Sequence, residues 1–160
     1  MADPAPITLA TATSGGGFPL YGGMVAEIIK AVDPSLAVEC RNTKGSTENV
    51  PLLETGAMDT GLVQGEVAIE AFARKSLQIV AAMYSTAGMF VVRGDSPARR
   101  IGDLAGKPVV FGARGSGLVI LARYVLDGID LDIERDFAAI YLDRAGDGPD
   151  MVLDGRAAAL

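Results

Sequence analysis

Two glycine-rich turns are the parts of this sequence with the clearest capacity for chemistry. Ser14-Gly15-Gly16-Gly17 and Arg114-Gly115-Ser116-Gly117 each follow a strand-like segment and precede a helix-like one. The first N–H groups of a helix have no partner within it, and the helix dipole adds partial positive charge there. Each turn is therefore a candidate seat for an anion, although a turn that only reverses the chain has the same composition. Two such turns in equivalent positions favour a ligand site in a cleft between two lobes.

Three polar side chains extend this candidate anion site. Arg114 could hold a carboxylate through two parallel hydrogen bonds, or it could be a solvated loop arginine. Gln64 follows a strand-like run, where open α/β sheets place ligand contacts, and it could equally cap a loop. Tyr84 ends a predicted strand and offers a ring face and a hydroxyl, or it could be a half-buried core residue.

The residue types argue against catalysis. The chain contains no histidine, which removes the commonest acid–base catalyst and the commonest metal ligand. Cys40 is the only cysteine, and its apolar surroundings favour a small core residue. Neither glycine-rich turn has the spacing of a phosphate-binding loop or of a dinucleotide fingerprint. The sequence therefore predicts no catalytic residue, no metal site, no cofactor and no enzyme.

Composition narrows the partners further. The net charge of −6 argues against nucleic acid, since phosphate binding needs clustered Lys and Arg. No apolar run approaches the ~20 residues that span a bilayer. Residues 1–6 contain neither the basic nor the apolar region of a signal peptide. This start is expected for a mature secreted chain whose signal peptide has been removed, although a cytosolic protein could begin in the same way.

The elements that position these residues alternate between strand and helix, which predicts an α/β fold with mainly parallel sheets. Pro51 is expected in the first turn of the second helix, where the Ser, Thr and Asn of residues 46–49 can cap amides, and Gly56 is expected to end that helix. The strands are predicted at 7–13, 36–43, 60–64, 77–84, 89–93, 107–112 and 137–142. The helical segments are predicted at 24–32, from 46 to about 55, and at 65–74, 101–104, 118–128 and 149–154.

A break at Gly94-Asp95-Ser96-Pro97 predicts a first lobe over 1–93 and the beginning of a second over 94–160. Ala157 to Leu160 reads as the start of another strand, so the second lobe is expected to be incomplete and the natural protein to continue. An unpaired sheet edge of this kind could also lead the chain to self-associate.

In their order along the chain, these motifs resemble the TAXI-type solute receptors of tripartite ATP-independent periplasmic (TRAP) transporters. The resemblance covers essentially the whole chain, and the series is more specific than any one motif. The segments that carry it are Ala10 to Gly17 with Pro19 and Gly22-Gly23, Gly45 to Asn49 with Leu52-Leu53, Asp59, Val63-Gln64, Val91 to Arg93, Ile101 to Lys107, and Gly112 to Gly117.

The resemblance implies a type II periplasmic-binding-protein fold, with two α/β lobes that close on a small organic acid or amino acid. It also implies a periplasmic location, delivery of the solute to the membrane subunits of a TRAP transporter, and no covalent chemistry. The implied ligand contacts are Ser14, Gly15, Gly16, Gly17, Phe18, Gln64, Tyr84, Arg114, Gly115, Ser116 and Gly117.

The chain departs from the family pattern at two places in these turns. Gly17-Phe18 stands where the family often has Thr-Tyr, and Leu118 where it commonly has Thr. Both changes remove hydroxyl donors, so backbone amides and Arg114 are expected to carry more of the binding. The alternatives are a ligand-sensing domain of a regulator, the receptor of an ATP-driven (ABC) importer, or a transferase on a similar fold.

Overall fold

The computed structural model describes residues 6–74, 76–85 and 87–160. Residues 1–5, which belong to the segment compared with a signal peptide, lie outside this range. The chain divides into two compact units: residues 1–80 with 115–117, and residues 81–114 with 118–160. The prediction that the lobes meet at residues 93 and 94 stays a prediction.

The first unit is built on a parallel sheet with the strand order β2-β1-β3. Its described strands are β1 (Ile7–Ala10), β2 (Val38–Arg41) and β3 (Thr60–Gly61). Helices α1 (Gly17–Val32), α2 (Ser46–Glu54) and α3 (Gly65–Ala73) alternate with them. The strands are shorter than predicted, but their parallel pairing and their alternation with helices are confirmed.

Helix α1 approaches the sheet closely at Gly22. A Cβ atom there would lie 2.9 Å from Thr11 Cγ2, so only glycine fits without displacing the sheet residue. The segment predicted as a helix, residues 24–32, is helical. Three of its apolar residues face outward, however: Met24, Ile28 and Val32 are 54%, 60% and 80% exposed.

The end of α2 follows the sequence prediction, and the position of its proline does not. Gly56 ends the helix in the left-handed conformation, with a φ of 71°. Two backbone hydrogen bonds close the end of the helix: Gly56 N–H donates to Leu53 O at 3.1 Å, and Ala57 N–H donates to Leu52 O at 2.9 Å. Pro51 was predicted in the first turn, but it lies inside the helix, which begins at Ser46. The helix gives up one amide hydrogen bond at this point.

The second half of the chain contains a parallel pair of strands, β4 (Pro108–Ala113) and β5 (Ala138–Leu142). Ala159 adds a parallel bridge to Val109, which confirms strand-like pairing near the last residues. Helices α4 (Gly117–Asp127), α5 (Ile133–Asp136) and α6 (Gly148–Leu153) accompany these strands. The predicted helical turn at Ile101–Leu104 is a 3-10 helix, and a second one covers Ala145–Asp147.

The core of the second unit forms around β4. Val109 and Leu126 are fully buried, and the Phe111 ring packs edge-on against Phe137 with 5.6 Å between ring centroids. Ile133 is 1% exposed, so the short helix α5, which the sequence did not predict, closes this core.

Two predicted strands are wrong. The described residues of 77–84 and 89–93 form no strand, and Val80 is 91% exposed. A strand needs a neighbour along its length. The Val91 backbone exchanges two hydrogen bonds with Leu160, at 2.7 and 2.9 Å, a contact too short to form a strand. Among the described residues, no helix is both long enough and apolar enough to cross a membrane.

Candidate functional site

The first glycine-rich turn has the predicted strand–turn–helix form. It follows β1, and Gly16 is the N-cap of α1, with no side chain capping the helix. Gly15 has a φ of 82°, and the Gly16 N–H donates to Thr13 O at 3.1 Å. Ser14 and Gly15 are exposed, whereas Phe18 is half-buried. The first amides of α1 are therefore left without a side-chain acceptor.

Asn49 joins the ends of the strands around this turn. Its side-chain amide donates to Thr11 O and to Leu62 O, both at 2.8 Å, and its Oδ1 accepts from Thr43 Oγ1 at 2.7 Å. The residue is fully buried. The sequence indicated a helix cap here, which is wrong, because the backbone of α2 turns the amide into the sheet.

The start of α2 is capped by glycine rather than by a hydroxyl. Gly45 is the N-cap with a φ of 114°, a conformation that suits glycine, and no side chain caps the helix. The Ser46 hydroxyl instead accepts from Gln64 N–H at 3.1 Å. Thr47 donates to Gly115 O through its N–H, at 3.3 Å, and through its hydroxyl.

Gln64 lies three residues beyond the end of β3, at the residue before α3. Its carbonyl accepts from Val67 N–H and Ala68 N–H at 3.1 and 3.0 Å, which anchors the start of the helix. Its Oε1 is buried and has no hydrogen-bond partner. An unpaired buried acceptor costs about 1–3 kcal/mol, so this oxygen is prepared to accept from a group outside the chain.

The second glycine-rich turn supplies a second unpaired atom. Residues 115–117 cluster with the first unit. Ser116 Oγ is buried without a partner, as is Gln64 Oε1. Gly117 packs directly on the glutamine, because a Cβ atom there would lie 1.7 Å from Gln64 Oε1. One unpaired acceptor therefore lies on Gln64 and one unpaired hydroxyl on Ser116, the residue before Gly117.

Arg114 belongs to the second unit and is exposed. Its guanidinium carbon lies 4.0 Å from the centre of the Tyr141 ring. Among the described residues, six other arginines are ion-paired with an acid, but no carboxylate pairs with Arg114. Its charge is therefore available to an anion.

Tyr141 is held in turn by Glu134. The phenol donates to Glu134 Oε1 at 2.6 Å. Burial, followed by the Glu134 carboxylate, raises the pKa of Tyr141 above its ordinary value, against a smaller opposite effect of Arg114. The phenol therefore stays protonated at neutral pH. Sequence reasoning missed Tyr141 and Glu134, since their relation to Arg114 depends on how β5 lies beside β4.

No group of three or more His, Cys, Asp or Glu that could hold a metal ion occurs within residues 6–74, 76–85 and 87–160.

The sequence profile of the NMT1-like family matches residues 9–160. The chain belongs to the NMT1-like family.

Solved binding proteins share the fold of this NMT1-like chain, which is an α/β, type II periplasmic-binding-protein-like fold. The alkanesulfonate-binding protein SsuA from Xanthomonas axonopodis pv. citri, bound to MOPS, gives a TM-score of 0.61 at 17% identity, covering 99% of this chain and 54% of that chain. The periplasmic aliphatic sulphonate binding protein SsuA from Escherichia coli gives 0.58 at 20%, covering 97% and 50%. The effector binding domain of QuiR in complex with shikimate gives 0.59 at 15%, covering 96% and 71%. The NMT1-like chain spans about half the length of the two sulfonate-binding proteins.

The predicted contact residues of the NMT1-like chain fall in three places. Gln64 and residues 115–117 lie together in the first unit, whose α1 begins at the turn of residues 14–18. Arg114 and Tyr84 belong to the second unit. Tyr84 is 47% exposed and does not end a strand, contrary to the prediction, because the strand expected over 77–84 is not formed.

Proposed function

We propose that this chain is the first part of an extracytoplasmic solute-binding protein that captures a small carboxylate-bearing solute, an organic acid or an amino acid. The whole protein would close its two lobes on the solute and deliver it to the membrane subunits of a TRAP transporter. The family match and the binding-protein fold support solute capture. The periplasmic description of the E. coli protein supports the location. The motif series from Ala10 to Gly117 supports the TRAP partner.

The observation that carries the proposal is the pair of unpaired buried atoms, Gln64 Oε1 and Ser116 Oγ. Folded proteins form hydrogen bonds with the great majority of their buried polar atoms. Two unpaired buried atoms, one on Gln64 and one on the residue before Gly117, therefore point to a missing hydrogen-bond partner. An amino acid would satisfy both atoms, because its ammonium can donate to Gln64 Oε1 and its carboxylate can accept from the Ser116 hydroxyl. The proposal is one of binding, and it assigns no reaction to these groups.

Arg114 supports an anionic solute. It is the cation of the second glycine-rich turn, and it has no acidic partner among the described residues. A guanidinium can bind a carboxylate through two parallel hydrogen bonds. The same fork would accept a sulfonate. Sulfonate capture is the second candidate function, since two of the similar structures are sulfonate-binding proteins.

Calorimetric titration of the chain with succinate, L-glutamate and MOPS tests the proposal, with succinamide as the uncharged control. Replacing Arg114 with alanine is expected to weaken carboxylate binding by roughly 10- to 100-fold, because a hydrogen bond to a charged group contributes about 1.5–3 kcal/mol. Thermal stability should change little, since the side chain is exposed.

The matched control is Arg156→Ala, which removes an equal charge from an exposed ion pair with Asp154. This variant should bind as the unchanged chain does. Equal losses in both variants would indicate general electrostatic attraction and count against a site at Arg114. Turnover of a bound solute, detected by NMR of the solute itself, would replace the binding function with an enzymatic one.

A further inference from the structure

The guanidinium of Arg114 is supported from one side only. The Tyr141 ring lies 4.0 Å beneath its central carbon, and no carboxylate within the described residues pairs with it. At this distance an aromatic ring covers the flat face of a guanidinium that lies parallel to it. The N–H donors lie in the plane of the guanidinium, so a ring under the face leaves those donors free.

The ring is itself anchored. Tyr141 stands on β5, whose neighbour β4 leads into Arg114, and its hydroxyl donates to Glu134 Oε1 at 2.6 Å. Glu134 lies on α5, which Ile133 fixes into the core with 1% exposure. Ile133 therefore fixes α5, Glu134 of α5 holds the Tyr141 hydroxyl, and the Tyr141 ring lies against the guanidinium of Arg114.

We propose that Tyr141, anchored by Glu134, is the positioning residue that holds the Arg114 guanidinium face-down and presents its N–H edge to an anion. This inference rests on the proposed function, in which Arg114 binds the solute. An acidic partner would also fix the arginine, but it would occupy the same N–H edge and neutralise the charge. An aromatic platform orients the cation without competing for the solute.

Modification of arginine by phenylglyoxal, followed residue by residue with mass spectrometry, tests the platform without any solute. The reagent adds to the guanidinium nitrogens, so a ring that covers one face of the group should slow the reaction at Arg114 by limiting access to it. Tyr141→Leu is expected to raise the rate at Arg114 at least 3-fold and to leave Arg156 unchanged. Tyr141→Phe keeps the ring but loses the hydrogen bond to Glu134, so it should raise the rate about 2-fold, less than Tyr141→Leu does.

Glu134→Ala gives an independent test, because Glu134 is exposed and its removal should leave folding intact. It is expected to raise the rate at Arg114 about 2-fold by releasing the phenol. Tyr124→Leu, at an exposed tyrosine of α4, is the matched control and should change nothing. An Arg114 rate that is the same in the unchanged chain, Tyr141→Leu and Glu134→Ala would overturn the proposal.

Succinate protection in the same assay separates this inference from the function on which it rests. In the unchanged chain succinate should slow modification of Arg114, and Tyr141→Leu should raise the succinate concentration needed by 3- to 10-fold. Absence of protection in the unchanged chain, with the rate effect of Tyr141→Leu intact, would count against the proposed carboxylate site and not against the platform. Protection that is unaffected by Tyr141→Leu would refute the positioning role.

Discussion

Replacing Asn49 with alanine is expected to lower the free energy of unfolding by roughly 3–5 kcal/mol. The substitution removes the donor for two carbonyls, Thr11 O and Leu62 O, and the acceptor for the Thr43 hydroxyl. Asn49 is fully buried, so water cannot readily replace the lost partners. Each buried polar group left unpaired costs about 1–3 kcal/mol, and this substitution leaves three such groups without their present partner.

Urea unfolding followed by circular dichroism measures this loss. Asn49→Asp is an informative companion, because it keeps the size of the side chain but turns an oxygen toward the carbonyls, so it should also destabilise. Asn42→Ala, at an exposed asparagine of the same unit, is the control and should change stability by less than about 0.5 kcal/mol. A loss below about 1 kcal/mol for Asn49→Ala would show that the strand ends do not depend on this amide.

Gly117→Ala is expected to weaken binding of L-glutamate at least 10-fold while leaving the fold intact, because the ammonium of an amino acid is the group that can donate to Gln64 Oε1. The new Cβ would lie 1.7 Å from Gln64 Oε1 and 2.6 Å from Gln64 Cδ, so the glutamine amide must move away. The glutamine side chain can rotate, and alanine favours a helix over glycine by about 1 kcal/mol, so stability should hardly fall. Calorimetry with L-glutamate and thermal unfolding measure the two effects.

Gly65→Ala is the matched control for this variant. Gly65 is also the first residue of a helix, directly after Gln64, and a Cβ atom there would have no neighbour within 4 Å. It should bind L-glutamate with unchanged affinity. Similar binding in the chain, in Gly65→Ala and in Gly117→Ala would mean that the Gln64 amide does not contact the solute.

Local chemistry made much of the fold predictable. The period-two alternation of residues 7–13 located β1, and Gly56 marked the end of α2, because these signals depend on neighbours in the sequence. The strands expected at 77–84 and 89–93 were wrong for the opposite reason. Their apolar residues satisfy the pattern of a strand, but pairing depends on a partner that the pattern does not contain.

The site was predictable only in its backbone. Glycine-rich turns after strands indicated where helix amides would face a ligand. Arg114 was named as part of the second turn, and Gln64 was named from its place at the end of a strand-like run. The burial of Gln64 Oε1, the contact of Thr47 with Gly115 and the platform under Arg114 arise between segments far apart in the sequence. Residue types alone could not indicate them, because threonine, tyrosine and glutamate are ordinary in exposed helices and strands.

The central claim is that Gln64 and the second glycine-rich turn bind a small anion, and an NMR titration of the ¹⁵N-labelled chain with succinate and L-glutamate tests it most directly. The amide signals are expected to shift saturably, and the largest shifts are expected for the backbone amides of Ser116 and Gly117 and for the side-chain amide of Gln64. Saturable shifts that leave these signals unchanged, or no saturable shift with any carboxylate or sulfonate, would contradict it.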